Sequence, residues 1–417
     1  MRPQALARGS AVTLAIVLAS CGTNGSRGGR TPRVTREDSA GVEIVTTETA
    51  VADVPAFATL DTVPGLRIGS LNGPKEEQFG SVTGLAPLAD GGIAVLDAQA
   101  KEIRVFSPDG AYVRTVGRAG EGPGELSTPR GLAALGGDTL AVYDWRGGRI
   151  TFFAPDGRVG RTATAFFQGY GQPYRVSFFA DGSIVGQSRY SGGRGIVSGE
   201  KPTFVTDSAV LVFSPTDGSP GDTVDILQTG ESVRSMHRSG QGVMVLTSTA
   251  TFERSSSFAA SPDGVWSGYG DRYAVRLLDP SDGHAKRIVR APGLDRPLTD
   301  EEVNAVKKAE LADADTPERL RAAQQVIDLS PRPAMRPAFD RMLVDDGGRL
   351  WLRDWPGADT DTRRWWVFAR DGGLLGSVVV TGKLHLMAVQ NGHAWGIVHD
   401  DLDVPYVVRY TMHAVGA

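Results

Sequence analysis

Two stretches, LAPLADGGIAVLDAQAKEIRVFSPDG at residues 85–110 and LAALGGDTLAVYDWRGGRITFFAPDG at residues 132–157, decide the fold. A single offset of 47 residues superimposes Leu85 on Leu132, Val95 on Val142, Asp97 on Asp144, Ile103 on Ile150, Phe106 on Phe153 and Gly110 on Gly157 without a gap. Within each copy the apolar residues alternate, as in Ile93-Ala94-Val95 and Ile150-Thr151-Phe152-Phe153, and a period of two marks strands. Between the strands stand Asp90-Gly91, Ser107-Pro108-Asp109-Gly110 and Ala154-Pro155-Asp156-Gly157. Proline presets φ there, and Asp-Gly supplies the positive φ of a tight turn. Each copy therefore reads as a four-stranded antiparallel meander. A repeat of this length is that of propeller blades, which stack radially because none can bury its two faces alone.

Looser copies follow. The third lies around Asp181–Val185 and Val210–Phe213, the fourth around Ser261–Trp266 and Tyr273–Leu277, the fifth around Asp346–Leu352 and Trp366–Phe368, and the sixth around Asn391–Ile397 and Tyr406–Tyr410. The sixth copy has only three strands before Ala417. The missing one stands at the other end, where Leu66-Arg67-Ile68-Gly69 and Asn72-Gly73-Pro74 parallel the outer strand Val113–Gly117 and its Glu121-Gly122-Pro123. The reading is an all-β chain, a six-bladed β-propeller over residues 37–417, with its two ends zipped into one blade. One segment, 298–330, carries a capping-box pattern at Thr299-Asp300-Glu301-Glu302 and a second helix start at Thr316-Pro317, and reads as a helical insertion over one face of the disc.

The string Ile103-Arg104-Val105-Phe106, with Asp109-Gly110, Val116-Gly117, Gly120, Gly122-Pro123-Gly124-Glu125, Pro129 and Gly131-Leu132-Ala133, resembles NHL-type propeller repeats. From Asp38-Ser39-Ala40-Gly41 onward the chain is similar to bacterial six-bladed propeller lipoproteins of largely unassigned function. That resemblance implies six blades and a binding role, and it brings no catalytic motif.

With 44 basic against 48 acidic side chains and a pI near 5.9, the chain offers no broad positive field, so nucleic acid is not an expected partner. Arg2 and Arg8 precede an apolar run, Ala11 to Leu18, too short to span a bilayer. The string Leu18-Ala19-Ser20-Cys21 resembles the bacterial lipobox, which implies a signal peptide at residues 1–20 and lipid on Cys21. Residues 21–36 then read as a flexible tether, holding a monomeric domain at the cell envelope, on the outer membrane or facing the periplasm. Cys21 is the one cysteine, so no internal disulfide supports the fold.

Candidate chemistry is sparse. Asp97, Asp144 and their fifth-blade equivalent Asp354 are the positions at which carboxylates could converge on a channel-bound Ca2+, the arrangement of a lactonase- or lyase-type enzyme. The competing reading makes each a cap for the turn that follows its strand. His393 and His399 lie about 20 Å apart at strand rise and cannot share an ion. Asp359, Asp361 and Asp400–Asp403 lack the spacing of a calcium loop. Gly120–Gly124 has no Lys-Ser or Lys-Thr after it, and no Gly-x-Ser-x-Gly elbow occurs. The expected binding residues are large side chains beside the inner strand ends: Arg130, Trp145, Arg146, Arg175, Arg353 and Trp355. The leading expectation is a non-enzymatic, cofactor-free propeller that recognises a protein, peptide or glycan.

Overall fold

The computed structural model describes residues 32–165, 171–189, 201–217, 219, 221–239 and 242–415. The segment read as a signal peptide, Cys21 and most of the segment read as a tether lie outside the described residues. Alternating apolar strands and tight turns build six sheets in chain order. Blade 1 comprises Val82–Pro87, Ile93–Asp97, Glu102–Phe106 and Tyr112–Val116, running from the axis outward. Blade 2 (Pro129–Leu135, Thr139–Asp144, Arg149–Phe153, Val159–Thr164) and blade 5 (Phe339–Val344, Leu350–Asp354, Thr362–Phe368, Leu374–Thr381) repeat that meander. The turn glycines adopt the conformation their Asp-Gly pairs require, with φ of 89° at Gly110 and 85° at Gly157.

What stacks the sheets is the two-sidedness of their strands. In Ile93–Asp97, Ile93 and Val95 join an apolar cluster with Trp395 and Val407 of blade 6, while Ala94 and Leu96 join one with Leu140 and Val142 of blade 2. Among the described residues, six such clusters each draw on two successive blades, and one of them joins the last blade to the first. The sheets therefore close into a ring.

Blade 6 is built as the terminal sequences imply. Its strands His385–Gln390, His393–His399 and Pro405–Ala414 are completed by two N-terminal strands, β3 (Ala58–Leu60) and β4 (Leu66–Ile68). Ile68 pairs with Val407 and is 3% exposed between blades 6 and 1.

Three features depart from the four-strand repeat. A hairpin of β1 (Arg33–Ser39) and β2 (Val42–Glu48) adds to the outer edge of blade 4, with β2 parallel to Ala285–Arg290, so the sheet has six strands. Strand β1 begins inside the segment read as tether, because the buried Val45 and Thr47 of β2 dock between blades 4 and 5 and hold the hairpin there. From that hairpin the chain crosses blade 5, where Phe57 donates to the Ser377 carbonyl at 2.8 Å, before reaching blade 6. Blade 3 has five strands, and its strand Thr203–Ser214 pairs with Ile184–Arg189 only from Ala209 onward. Thr203–Ser208 continue the ladder with Gln228–Arg234 past the last described residue of the Ile184–Arg189 strand, as a β-arm.

The insertion forms helices α1 (Asp300–Ala312) and α2 (Pro317–Leu329), with the Thr299–Glu302 capping box in place. It connects Ala285–Arg290, the fourth strand of blade 4 in chain order, to the innermost strand of blade 5, on the face where innermost strands begin. The β-arm rises from that same face. The two meet where Thr251 donates through its hydroxyl to Glu310 and through its amide to Ser330, both at 3.0 Å.

Ile68→Ala is expected to lower unfolding free energy by about 2–4 kcal/mol, since it hollows the joint that closes the ring. Leu71→Ala, at an exposed position nearby, should change it by less than about 0.5 kcal/mol; urea unfolding followed by tryptophan fluorescence measures both.

Candidate functional site

The strand registers bring the three candidate aspartates and the six expected binding residues to one face, where innermost strands start and second strands end, whereas His393 begins the second strand of blade 6 at the other. Asp97 closes the second strand of blade 1 opposite Val82, Asp144 that of blade 2 opposite Pro129, and Asp354 that of blade 5 opposite Phe339. They do not converge. Asp97, 1% exposed, accepts the backbone N–H groups of Gly80, Ser81, Gln99 and Ala100 at 2.9–3.1 Å. Asp144 accepts those of Ser127 at 2.7 Å and Thr128 at 2.9 Å. Both tie the second strand to the segment entering the first, the capping role of a short carboxylate. Asp354 is the equivalent position with different partners: it takes the Tyr273 hydroxyl and, at 3.1 Å, Arg296, joining blade 5 to blade 4 and to the approach of the insertion. Burial and the Asp354 carboxylate push the Tyr273 phenol well above its usual range. Among the described residues no group of three or more His, Cys, Asp or Glu side chains could hold a metal ion.

The large side chains divide. Trp355 is 9% exposed and belongs to a separate apolar cluster with Phe252, Leu298, Val303 and Val306, which seats the insertion on blade 5. It is therefore a packing residue first, although its edge lines a cleft of about 400 Å3 with Arg296, Arg336 and Arg364. Arg296 and Arg336 in that cleft are paired, to Asp354 at 3.1 Å and Glu302 at 2.8 Å. On blade 2, Arg130 lies over the ring of Trp145, 4.9 Å from its centroid, and the indole N–H donates to the Gln172 carbonyl at 3.3 Å. Arg146 is exposed beside them.

Arg175 and Arg353 approach the axis, and here the structure adds residues that the sequence reading left aside. The innermost strands carry a recurring register skip that gives one extra residue near their start: Thr83 in blade 1, Arg130 in blade 2, Asp340 in blade 5 and Met387 in blade 6. Such a bulge re-aims the side chains around it. In blade 5 it leaves Arg341 directly opposite Arg353 on the paired strand. Arg353 is neutralised by a two-point contact with Asp340, at 2.6 and 2.8 Å. Arg341 instead points its Nη1 at Nε2 of His385, the first residue of the innermost strand of blade 6. A guanidinium only donates, so His385 accepts and carries its own proton on Nδ1.

Electrostatics follow from that geometry. Removal from bulk water, then the like charges of Arg353 and Arg175, pulls the Arg341 guanidinium down to about 10. The same removal, then Arg341, Arg353 and His399, pushes His385 down to about 4. Arg175 reaches the mouth from blade 3, lies over Phe258 at 5.5 Å, and is also pulled down by burial although solvent touches it. On the acidic side stand Asp340 and Glu253, whose carboxyl is raised by burial and by the charges of Glu231 and Asp340. Aligning the starts of the innermost strands places Asp340-Arg341 in blade 5 where blade 2 has Arg130-Gly131, whereas no sequence signal marks His385.

A family model described as a 6-bladed beta-propeller matches residues 70–147. Among solved structures, the chain is similar to a Bacteroides fragilis protein described as exported (10% identity, covering 89% of this chain and 100% of that one, TM-score 0.47) and to a member of the duf4221 family from Bacteroides vulgatus (11%, 86% and 99%, 0.49). A gluconolactonase from Xanthomonas campestris is a third (14%, 85% and 99%, 0.39). The sequence matches no curated protein.

Two outcomes test the site. Asp97→Ala should lower stability by about 2–3 kcal/mol, because it removes the buried carboxylate to which four backbone amides donate, and millimolar Ca2+ should not shift the melting temperature of the wild type, as followed by scanning calorimetry. The depressed His385 has a further consequence: between its unfolded and folded pKa the unfolded chain binds more protons, so this residue's contribution to stability falls as pH drops from about 6.5 toward 4. Unfolding curves across that window should be shallower in pH for His385→Gln than for the wild type. On its own topology, with the family match over residues 70–147, the chain is a six-bladed β-propeller.

Proposed function

We propose that the chain is a non-catalytic binding propeller, displayed at the cell envelope through lipid on Cys21, that recognises a protein, peptide or glycan on the face where the innermost strands begin. The observation that carries this reading is the concentration on one face of side chains suited to recognition. Arg130 stacked on Trp145, with Arg175 and Arg353, stands at strand ends on this face, and the β-arm and helical insertion lie on the same face. Arginine and tryptophan combine contact area with directed hydrogen bonds, which is why they dominate binding hot spots. A metal-dependent lactonase or lyase is the weaker reading, since Asp97, Asp144 and Asp354 already direct their oxygens at backbone amides, Tyr273 and Arg296. Envelope placement is supported by the lipobox-like Leu18–Cys21 and is compatible with there being no helix among the described residues long and apolar enough to cross a membrane.

The test is recovery of envelope partners on immobilised protein. A Trp145→Ala/Arg175→Ala double variant that keeps the wild-type circular dichroism spectrum should lose most of the bound material; undiminished recovery would remove this face as the binding surface.

A further inference from the structure

The axial mouth holds more positive charge than its own side chains neutralise. Three guanidinium groups, Arg175, Arg341 and Arg353, belong to one electrostatic cluster contributed by blades 3 and 5. Of these, among the described residues, only Arg353 has a carboxylate in hydrogen-bond contact, Asp340. Arg341 and Arg353 sit directly opposite each other on paired strands, where like charges are destabilising. A salt bridge could have relieved Arg341. It meets His385 instead, which accepts one N–H and contributes no negative charge. Among the described residues Arg175 has a ring face as its named neighbour and no acid at ion-pair distance. Glu253 is a further acid beside Asp340, and Glu231 next to it is balanced by Arg254, so among the described residues the cluster carries a surplus of positive charge.

A fold maintains unpaired like charges at such a position when something outside the chain completes them. Planar guanidinium forks match the oxygen pairs of carboxylates, phosphates and sulfates, and the reduced access of bulk water strengthens each contact. We propose that the axial mouth is an oxyanion-recognition site, in which Arg175 and Arg341 engage an anionic group of the ligand while Asp340 and His385 hold Arg353 and Arg341 in position. This deepens the binding reading given above and rests on it for the identity of the face. It also narrows the partner to one that presents an anionic group to a recessed position.

Titration calorimetry with sodium phosphate and with sodium acetate, each against sodium chloride at matched ionic strength, tests the assignment and separates a tetrahedral from a carboxylate headgroup. Saturable binding of at least one anion is expected, weakened tenfold or more in Arg175→Gln and in Arg341→Gln and unchanged in Arg158→Gln, at the exposed turn between the two outer strands of blade 2. Absence of saturable binding by the wild type, or equal binding by the Arg175 and Arg341 variants, overturns the proposal. In chloride alone Arg341→Gln should melt no lower than the wild type, because it removes repulsion; a lower melting temperature would make Arg341 a structural strut and likewise overturn it. If envelope partners are still recovered while neither anion binds, the oxyanion assignment falls and the binding face stands. If anions bind and partner recovery survives loss of Trp145 and Arg175, the wider reading falls instead.

Discussion

A sheet whose strands are apolar on both sides has no stable existence in water as a single layer, and that constraint organises the molecule. Val95 and Leu96 are adjacent in sequence and point to opposite neighbours, one toward blade 6 and the other toward blade 2. Every blade therefore needs two partners, and only a closed ring gives each of them two. Burying one such side chain fully is worth roughly 1.5–3 kcal/mol, so an open ring would leave two whole faces without that contribution. With no disulfide available among internal residues, the reciprocal burial between blades carries the fold, and strands β3 and β4 are the pieces that make it reciprocal everywhere.

Closure also creates the one place where polar chemistry can gather without touching that core. The innermost strands surround the axis, and the bulges near their starts turn Arg130 and Asp340 out of the alternating pattern. Elsewhere many arginines meet a carboxylate, as Arg287 and Arg36 meet Glu43, Arg254 meets Glu231 and Arg370 meets Asp263, while others such as Arg161 and Arg409 rest singly on ring faces. Against that background, three arginines in one cluster with a single directly paired carboxylate are an exception, and local inconsistency of this kind collects at functional positions.

The fold is largely legible from the sequence because its determinants are local. Alternation, the Asp-Gly turns and the 47-residue offset all lie within one or two blades, and Leu66–Ile68 declares itself as an outer strand by resembling Val113–Gly117. The hairpin β1–β2 is not legible in the same way: its burial depends on Val289 and Leu374, far along the chain, with which it shares one cluster. The site divides similarly. Arg130, Trp145, Arg175 and Arg353 follow from their places beside strand ends, whereas Trp355 looks like a surface anchor until the insertion is seen resting on it. Arg341 and His385 escape notice because neither repeats between blades and their contact spans two of them.

The N-terminal strap, which crosses blades 4, 5 and 6 before blade 1 begins, bears on how the molecule comes to exist. Its strands are synthesised first and pair last: Ile44 waits for Ile288, and Ile68 for Val407. Pairings so remote in sequence must meet the full entropy of loop closure before they return any burial, which makes assembly slow in proportion to their separation. Until the final strand arrives, the apolar residues of the strap and the edges of three sheets have no partner within the chain, and such edges invite association between molecules. For a ring closed by its own first strands, that interval is the point of greatest vulnerability.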